Sequence, residues 1–176
     1  LGKDIKKEMY EWIKSIALAV IIAILIKTFL LNTTYVLGHS MFPTLDEKDR
    51  LFTNKIVYIL GNPERGDIVV LKAPDDPDKD YIKRIIGIAG DIVEIKDGKV
   101  YLNGEELSEK YLPEDAYTYE DIRVEVPEGE VFVLGDNREK MASKDSRYFG
   151  TISIEKIKGK AFFRYYPFDD RFGSLY

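Results

Sequence analysis

The one histidine of this 176-residue chain, His39, stands directly beside a serine, Ser40, in the stretch VLGHSMFPTL at 36–45. A serine hydroxyl is a weak nucleophile until a nearby base takes its proton. His39 is one candidate, and a Ser-His-Asp arrangement would have to use it, because the chain has no second histidine. Tyr35 and Val36, however, favour an extended backbone, where neighbouring side chains point to opposite faces. In that geometry His39 does not easily reach Ser40; a tight bend would be needed. The other side chain able to accept the proton near neutral pH is a lysine deprived of water. Cysteine is absent, which excludes thiolate nucleophiles, disulfides and thiolate metal sites. No metal site and no cofactor is expected.

Composition restricts the partners. The net charge is -5, and an acidic chain lacks the basic face that nucleic acid requires. Apolar residues make up 45% of the chain, and its 12 tyrosines and 9 phenylalanines are enough for a packed core rather than a disordered chain.

The elements that must position Ser40 begin with WIKSIALAVIIAILIKTFLL, residues 12–31. As a helix this segment spans about 30 Å, roughly the hydrocarbon thickness of a bilayer. Between Ile16 and Ile26 apolar residues cover every face, with no polar stripe. Lys14 and Lys27 lie where their stems reach the headgroups, and Trp12 suits an interfacial position. Three readings are open: a transmembrane anchor, a buried core helix and a cleaved secretion signal. The NTTYVLG that follows lacks the small residues a cleavage site needs. On the anchor reading, residues 1–11 form a short cytoplasmic segment, 12–31 the membrane helix and 32–176 an extracytoplasmic domain. Lys3, Lys6, Lys7 and Lys14 precede the span, whereas Asn32 to Leu45 contain no Lys or Arg, which directs the N-terminus to the cytoplasm.

Beyond the span the pattern changes to short β-type runs: RLFTNKIVY, DIVVLKAP, YIKRIIGI, DIVEIKDGKVYLNG and EVFVLGDN. Turns are expected at Asp97-Gly98, closing a hairpin, and at Asn103-Gly104. The fold class is therefore mainly β, a folded sheet or barrel. APDDPDKD, 73–80, reads as a solvated loop, since it lacks the Gly and terminal Glu of a calcium loop.

Four stretches occur together in one order. GHSMFPTL resembles the serine box of bacterial type I signal peptidases (leader peptidases), a Ser-Lys dyad family, and RGDIVVLKAP (65–74) is similar to their next box. YIKRIIGIAGD (81–91) resembles their lysine box, and GDNREKMASKDSRYFG (135–150) their last; the tail IKGKAFFRYYPF is also similar. The resemblance implies a membrane-anchored serine endopeptidase with one N-terminal transmembrane helix and a catalytic β domain. It would remove signal peptides from secretory pre-proteins at the lipid bilayer, cutting after small residues of Ala-x-Ala type. Ser40 would be the nucleophile and Lys83 the general base. The Ser40 backbone N–H would form part of the oxyanion hole, with Gly38 where some members carry an extra hydroxyl donor. Ser143 would hydrogen-bond and orient Lys83. Asp145 and Arg147 would brace the site as an ion pair, and Asp136, Asn137 and Arg138 would shape the turn carrying the last box.

Two departures stand out. EKMA between Arg138 and Ser143 is two residues longer than the family spacing, so that either the loop bulges or Ser143 shifts in register; Ala89 stands where the lysine box commonly has proline. From pattern alone Lys83 reads as a surface lysine on an edge strand; the match of four stretches displaces that reading. On a strand Tyr81, Lys83 and Ile85 share one face and Ile82, Arg84 and Ile86 the other, so Arg84 need not interact with the site. A self-cleaving repressor-type protease uses a similar dyad, but the anchor and the lack of a DNA-binding domain argue against it. A membrane-anchored β domain that only binds partners is the alternative outside enzymes.

Overall fold

The computed structural model describes residues 2–25 and 31–176. Helix α1 (Gly2–Leu25) is uninterrupted by glycine or proline after Gly2, and it begins at Gly2 rather than Trp12, so it takes in most of the segment expected as a separate cytoplasmic stretch. Its side chains from Lys7 to Ile24 are exposed on every face. Among the described residues, no helix is long and apolar enough to cross a membrane. Residues 26–30 of the expected span lie outside the described residues, and Leu31 already belongs to a strand.

The strands, in chain order, are β1 (Leu31–Tyr35), β2 (Arg50–Asn54), β3 (Ile68–Lys72), β4 (Asp80–Ile88), β5 (Ile92–Lys96), β6 (Lys99–Leu102), β7 (Glu105–Glu106), β8 (Ile122–Glu125), β9 (Glu130–Leu134), β10 (Ile152–Ser153), β11 (Ile157–Tyr166) and β12 (Gly173–Ser174). Two short helices, α2 (Val57–Leu60) and α3 (Ser146–Phe149), sit in the connections. One sheet has the order β1-β2-β11-β3-β4-β9-β10, with β12 added to β11; the other has the order β7-β6-β5-β8. Every pairing is antiparallel.

The Asp-Gly hairpin turn forms as expected between β5 and β6, with φ of 51° at Asp97 and 80° at Gly98. RLFTNKIVY, in contrast, is not one strand: the Asn54 side chain accepts the Ile56 N–H at 2.9 Å, which ends β2 and turns the chain into α2. The sequence reading also missed β1, β8 and the ten-residue β11, which lies at the centre of the large sheet between β2 and β3.

Three features of this frame position the site. Antiparallel β1 and β2, with Leu31 opposite Asn54 and Tyr35 opposite Arg50, present the 36–49 connection as a loop at one end of the sheet. β4 pairs with β3 from Asp80 to Arg84, but with β9 only from Arg84 onward, so the β9-side edge of residues 80–83 is left open. The end of β9 carries the chain from Leu134 into the last box. Ile86, Phe132 and Leu134 of the large sheet pack against Val93, Ile95 and Val100 of the small one and join the two. Phe132 is fully buried there. Phe132→Ala is expected to lower the unfolding free energy by about 3–5 kcal/mol, read from the urea midpoint.

Candidate functional site

The loop that carries Ser40 is held at its base and over its length. At the base Val36 N–H donates to Asp49 O at 2.9 Å and Lys48 N–H to Val36 O at 3.0 Å. Met41 and Leu45 turn inward and pack with Val36, Leu51, Ile68 and Ala161. Within the loop Phe42 N–H donates to His39 O at 3.1 Å and Leu45 N–H to Met41 O at 2.9 Å. The segment is thus a series of turns rather than a strand, entered at Gly38 with φ +79°. His39 leaves Ser40 alone for a different reason from strand alternation: its ring, at Nδ1, bonds the Asp46 carboxylate at 2.8 Å on the exposed side of the loop.

Ser40 instead meets Lys83, 43 positions on. The Lys83 Nζ lies 2.9 Å from Ser40 Oγ and 2.8 Å from Ile82 O, and 5.2 Å from the centre of the Tyr81 ring. The side chain is 2% exposed. Burial drives its pKa from 10.5 down to about 8; Asp145 and Asp136 push it back up, and Arg147 pushes it down. The contact with Ser40 serves in either protonation state. An ammonium donates to Oγ, and a neutral amine accepts the hydroxyl proton. With a pKa near 8, roughly a fifth of the amine is neutral near pH 7.4, against about 0.1% for an ordinary lysine.

The carboxylates around this pair each have a guanidinium of their own. Asp136 accepts from Arg84 Nε at 2.9 Å and Nη2 at 2.6 Å, and from Thr44 Oγ1 at 2.5 Å, tying β4 to the serine loop. Arg84 also lies 3.8 Å above the Tyr111 ring. Asp145 is completely buried; it accepts from Arg147 Nε at 2.8 Å and Nη2 at 2.7 Å, and from Gly135 N–H at 3.0 Å. Burial alone would raise the Asp145 pKa, but the Arg147 bonds outweigh it and hold the carboxyl below its usual range. Asn137 reaches the serine loop twice, through its backbone N–H to Ser40 O at 3.0 Å and its Nδ2 to His39 O at 3.1 Å. Arg138 turns the other way, to Glu109, Thr118 Oγ1 and Gly135 O.

Ser143 departs from the expected arrangement. Its Oγ is buried and helps hold the Asp145 carboxyl down, and the anticipated bond to Lys83, whose amine bonds Ser40 Oγ and Ile82 O, is not made. It packs instead on Gly135, where an added Cβ would lie 2.3 Å from both Ser143 Oγ and Ser40 O. The long EKMA connection bulges outward, with Ala142 N–H closing on Glu139 O at 3.1 Å and Met141 almost fully exposed. Asp145 still caps α3, and Ser146 Oγ still accepts Val133 N–H at 2.9 Å.

The signal peptidase model, peptidase S26, matches residues 9–166. The chain belongs to that family. Signal peptidase I of Bacillus licheniformis is 41% identical over 175 residues, covering 94% of this chain and 92% of the relative. Signal peptidase IB of Staphylococcus aureus is 39% identical over 182 residues, covering 94% and 93%. A crystal structure of a signal peptidase I from Enterococcus faecalis V583 aligns with TM-score 0.49 and 35% identity over 56% of this chain and 95% of that one.

In this signal peptidase family member, strand alternation alone does not require Arg84 to interact with the site. Strand alternation does turn Arg84 to the opposite face, but the serine loop and the end of β9 wrap over that face and Asp136 meets it there. Thr44, Tyr111 and Glu109 were missed, having no spacing signal that ties them to Lys83.

Burying an amine beside a hydroxyl has a thermodynamic sign. The folded pKa of Lys83 lies below its unfolded value, so folding is penalised most below pH 8, and the penalty fades as pH rises toward 10.5. The full penalty is on the order of 3 kcal/mol. Lys83→Met is therefore expected to unfold at equal or higher urea than wild type near pH 6–7, with the gain shrinking above pH 8. A lower midpoint near neutral pH contradicts the assignment.

Proposed function

We propose that this chain is a membrane-anchored serine endopeptidase that removes N-terminal signal peptides from translocated pre-proteins through an acyl-enzyme. The observation that carries the reading is the buried amine of Lys83, its pKa lowered to about 8, at 2.9 Å from Ser40 Oγ. Ser40 Oγ attacks the scissile carbonyl carbon while Lys83 Nζ takes its proton. The Ser40 backbone N–H, which donates to no protein group among the described residues, faces the oxyanion. Gly38 adds no side-chain donor there. Lys83 then returns the proton to the departing amine, and the acyl-enzyme is released by a water that gives its proton to the same amine. Ser143 fills the floor beneath Ser40 in this reading, and Asp145 with Arg147 holds Gly135 and the turn below it.

The substrate lies extended. A cleft of about 520 Å³ runs from Ser40 and Lys83 between residues 32–37 and the open edge at 78–83. β1 is an edge strand, and the β9 side of residues 80–83 is unpaired, so a peptide strand entering the cleft finds backbone partners there. Alternate side chains face a floor that includes Val36, Met41 and Ile82, which suits small residues such as Ala at -3 and -1.

The anchor reading rests on α1, whose Trp12, Ile16, Leu18, Val20, Ile21 and Ile24 are all exposed, with no protein face covering them among the described residues. On this reading the helix lies in the bilayer, with the N-terminus cytoplasmic and the β domain outside. Ser40 lies nine residues beyond Leu31, within about 30 Å of the membrane surface where a signal peptide emerges.

Cleavage of a secretory precursor by the detergent-solubilised protein tests the reading. Ser40→Ala and Lys83→Met are each expected to lower kcat/KM by about 10³-fold or more. Wild-type activity is expected to rise with pH through a midpoint near 8, as Lys83 loses its proton. Retained activity in either variant, or a rate flat between pH 6 and 9, contradicts it.

A further inference from the structure

A second recess, of about 270 Å³, opens on the other side of the serine loop from the cleft. Ser40 and Met41 line the cleft, whereas the next two residues, Phe42 and Pro43, line the recess. The ridge between the two is thus the nucleophile's own segment. Asn137 joins them: it holds Ser40 O and His39 O and also lines the recess.

The far wall of the recess is Tyr117 and Tyr119. Thr118 turns inward, with its N–H on Gly98 O at 2.8 Å and its Oγ1 on Arg138 at 2.9 Å, so the tyrosines on either side turn outward. Their ring centres are 4.8 Å apart. Arg147, bound to Asp145, also donates to Tyr119 O at 3.3 Å. The same arginines that brace the floor below Ser40 therefore build this wall. At the rim stand the exposed carboxylates of Asp115 and Glu139, and among the described residues neither forms an ion pair.

We propose that this recess binds the first residues after the scissile bond and favours a cationic side chain among them. The proposal rests on the peptidase reading above. Its direction comes from the anchor. The cleft begins at Asn32, next to the residues that lead back to α1, and so takes the signal-peptide side of the bond. The mature segment leaves across the 40–43 ridge, and the first surface it meets is this recess. Aromatic faces attract ammonium and guanidinium groups, and two unpaired carboxylates add a field of the same preference.

The test uses the full chain in detergent micelles and two precursor peptides identical through the -1 alanine. One carries lysine at +2 and +3, the other glutamate. Wild type is expected to cut the lysine peptide with about tenfold higher kcat/KM. The ratio should fall toward one in the double variant Asp115→Asn/Glu139→Gln and drop in Tyr117→Leu/Tyr119→Leu. Because the ratio is internal to each preparation, partial loss of folded protein leaves it unmoved. A wild-type ratio near one, or a ratio that survives both double variants, overturns the assignment alone. Failure to cut either peptide overturns the peptidase reading, and the recess assignment falls with it.

Discussion

An uncompensated amine in the protein interior is the constraint around which the rest of the site is arranged. Lys83 has two carboxylates nearby, and either would restore its positive charge if left free; both push its pKa up. Each is engaged elsewhere. Asp136 is held by both arms of Arg84, and Asp145 by both arms of Arg147. The carboxylates thus brace backbone and loop without serving as counter-ions to the lysine, and burial is left as the dominant influence on its charge. Removing one arginine would do more than loosen the structure: it would leave a bare carboxylate in the interior and raise the amine's pKa.

The topology explains why the braces run as they do. The serine loop leaves β1, the lysine sits inside β4, and the last box follows β9. These three elements are far apart in sequence and meet at the place where β9 stops pairing with β4. One open edge results, and Asp136, Asn137 and Gly135 fill the corner beside it. The close fit at Gly135, with Ser143 on one side and the Ser40 carbonyl on the other, leaves no space for a side chain. The same departure of the chain from the sheet leads through Arg138 to Thr118 and the tyrosine wall.

Much of the sheet was legible from local pattern. β3, β4, the β5–β6 hairpin and β9 are runs of Ile, Val and Phe ended by turn residues, and local chemistry decides them. β11 was missed although it is the longest strand, because Gly159 and alternating lysines blur its pattern and three irregularities break its register, two against β2 and one against β3. β2 was drawn too long because an asparagine side chain ends it, a signal that apolar patterning ignores. The pairing of Ser40 with Lys83 depends on registers between distant strands; sequence spacing carries no trace of it, and it came into view only through the resemblance of whole stretches. The bonds of Arg84 to Asp136 were not legible because alternation describes a single strand, whereas a folded sheet brings other segments over both of its faces.

The central claim concerns the charge on one nitrogen, and NMR reads it most directly. A pH titration of lysine 13Cε and 15Nζ shifts in the detergent-solubilised chain, with the Lys83 signal assigned by its loss in a Lys83→Met sample, gives that lysine its own midpoint. The account predicts a midpoint of about 8, well below that of an ordinary lysine. A Lys83 signal that titrates above 10, together with the surface lysines, contradicts it.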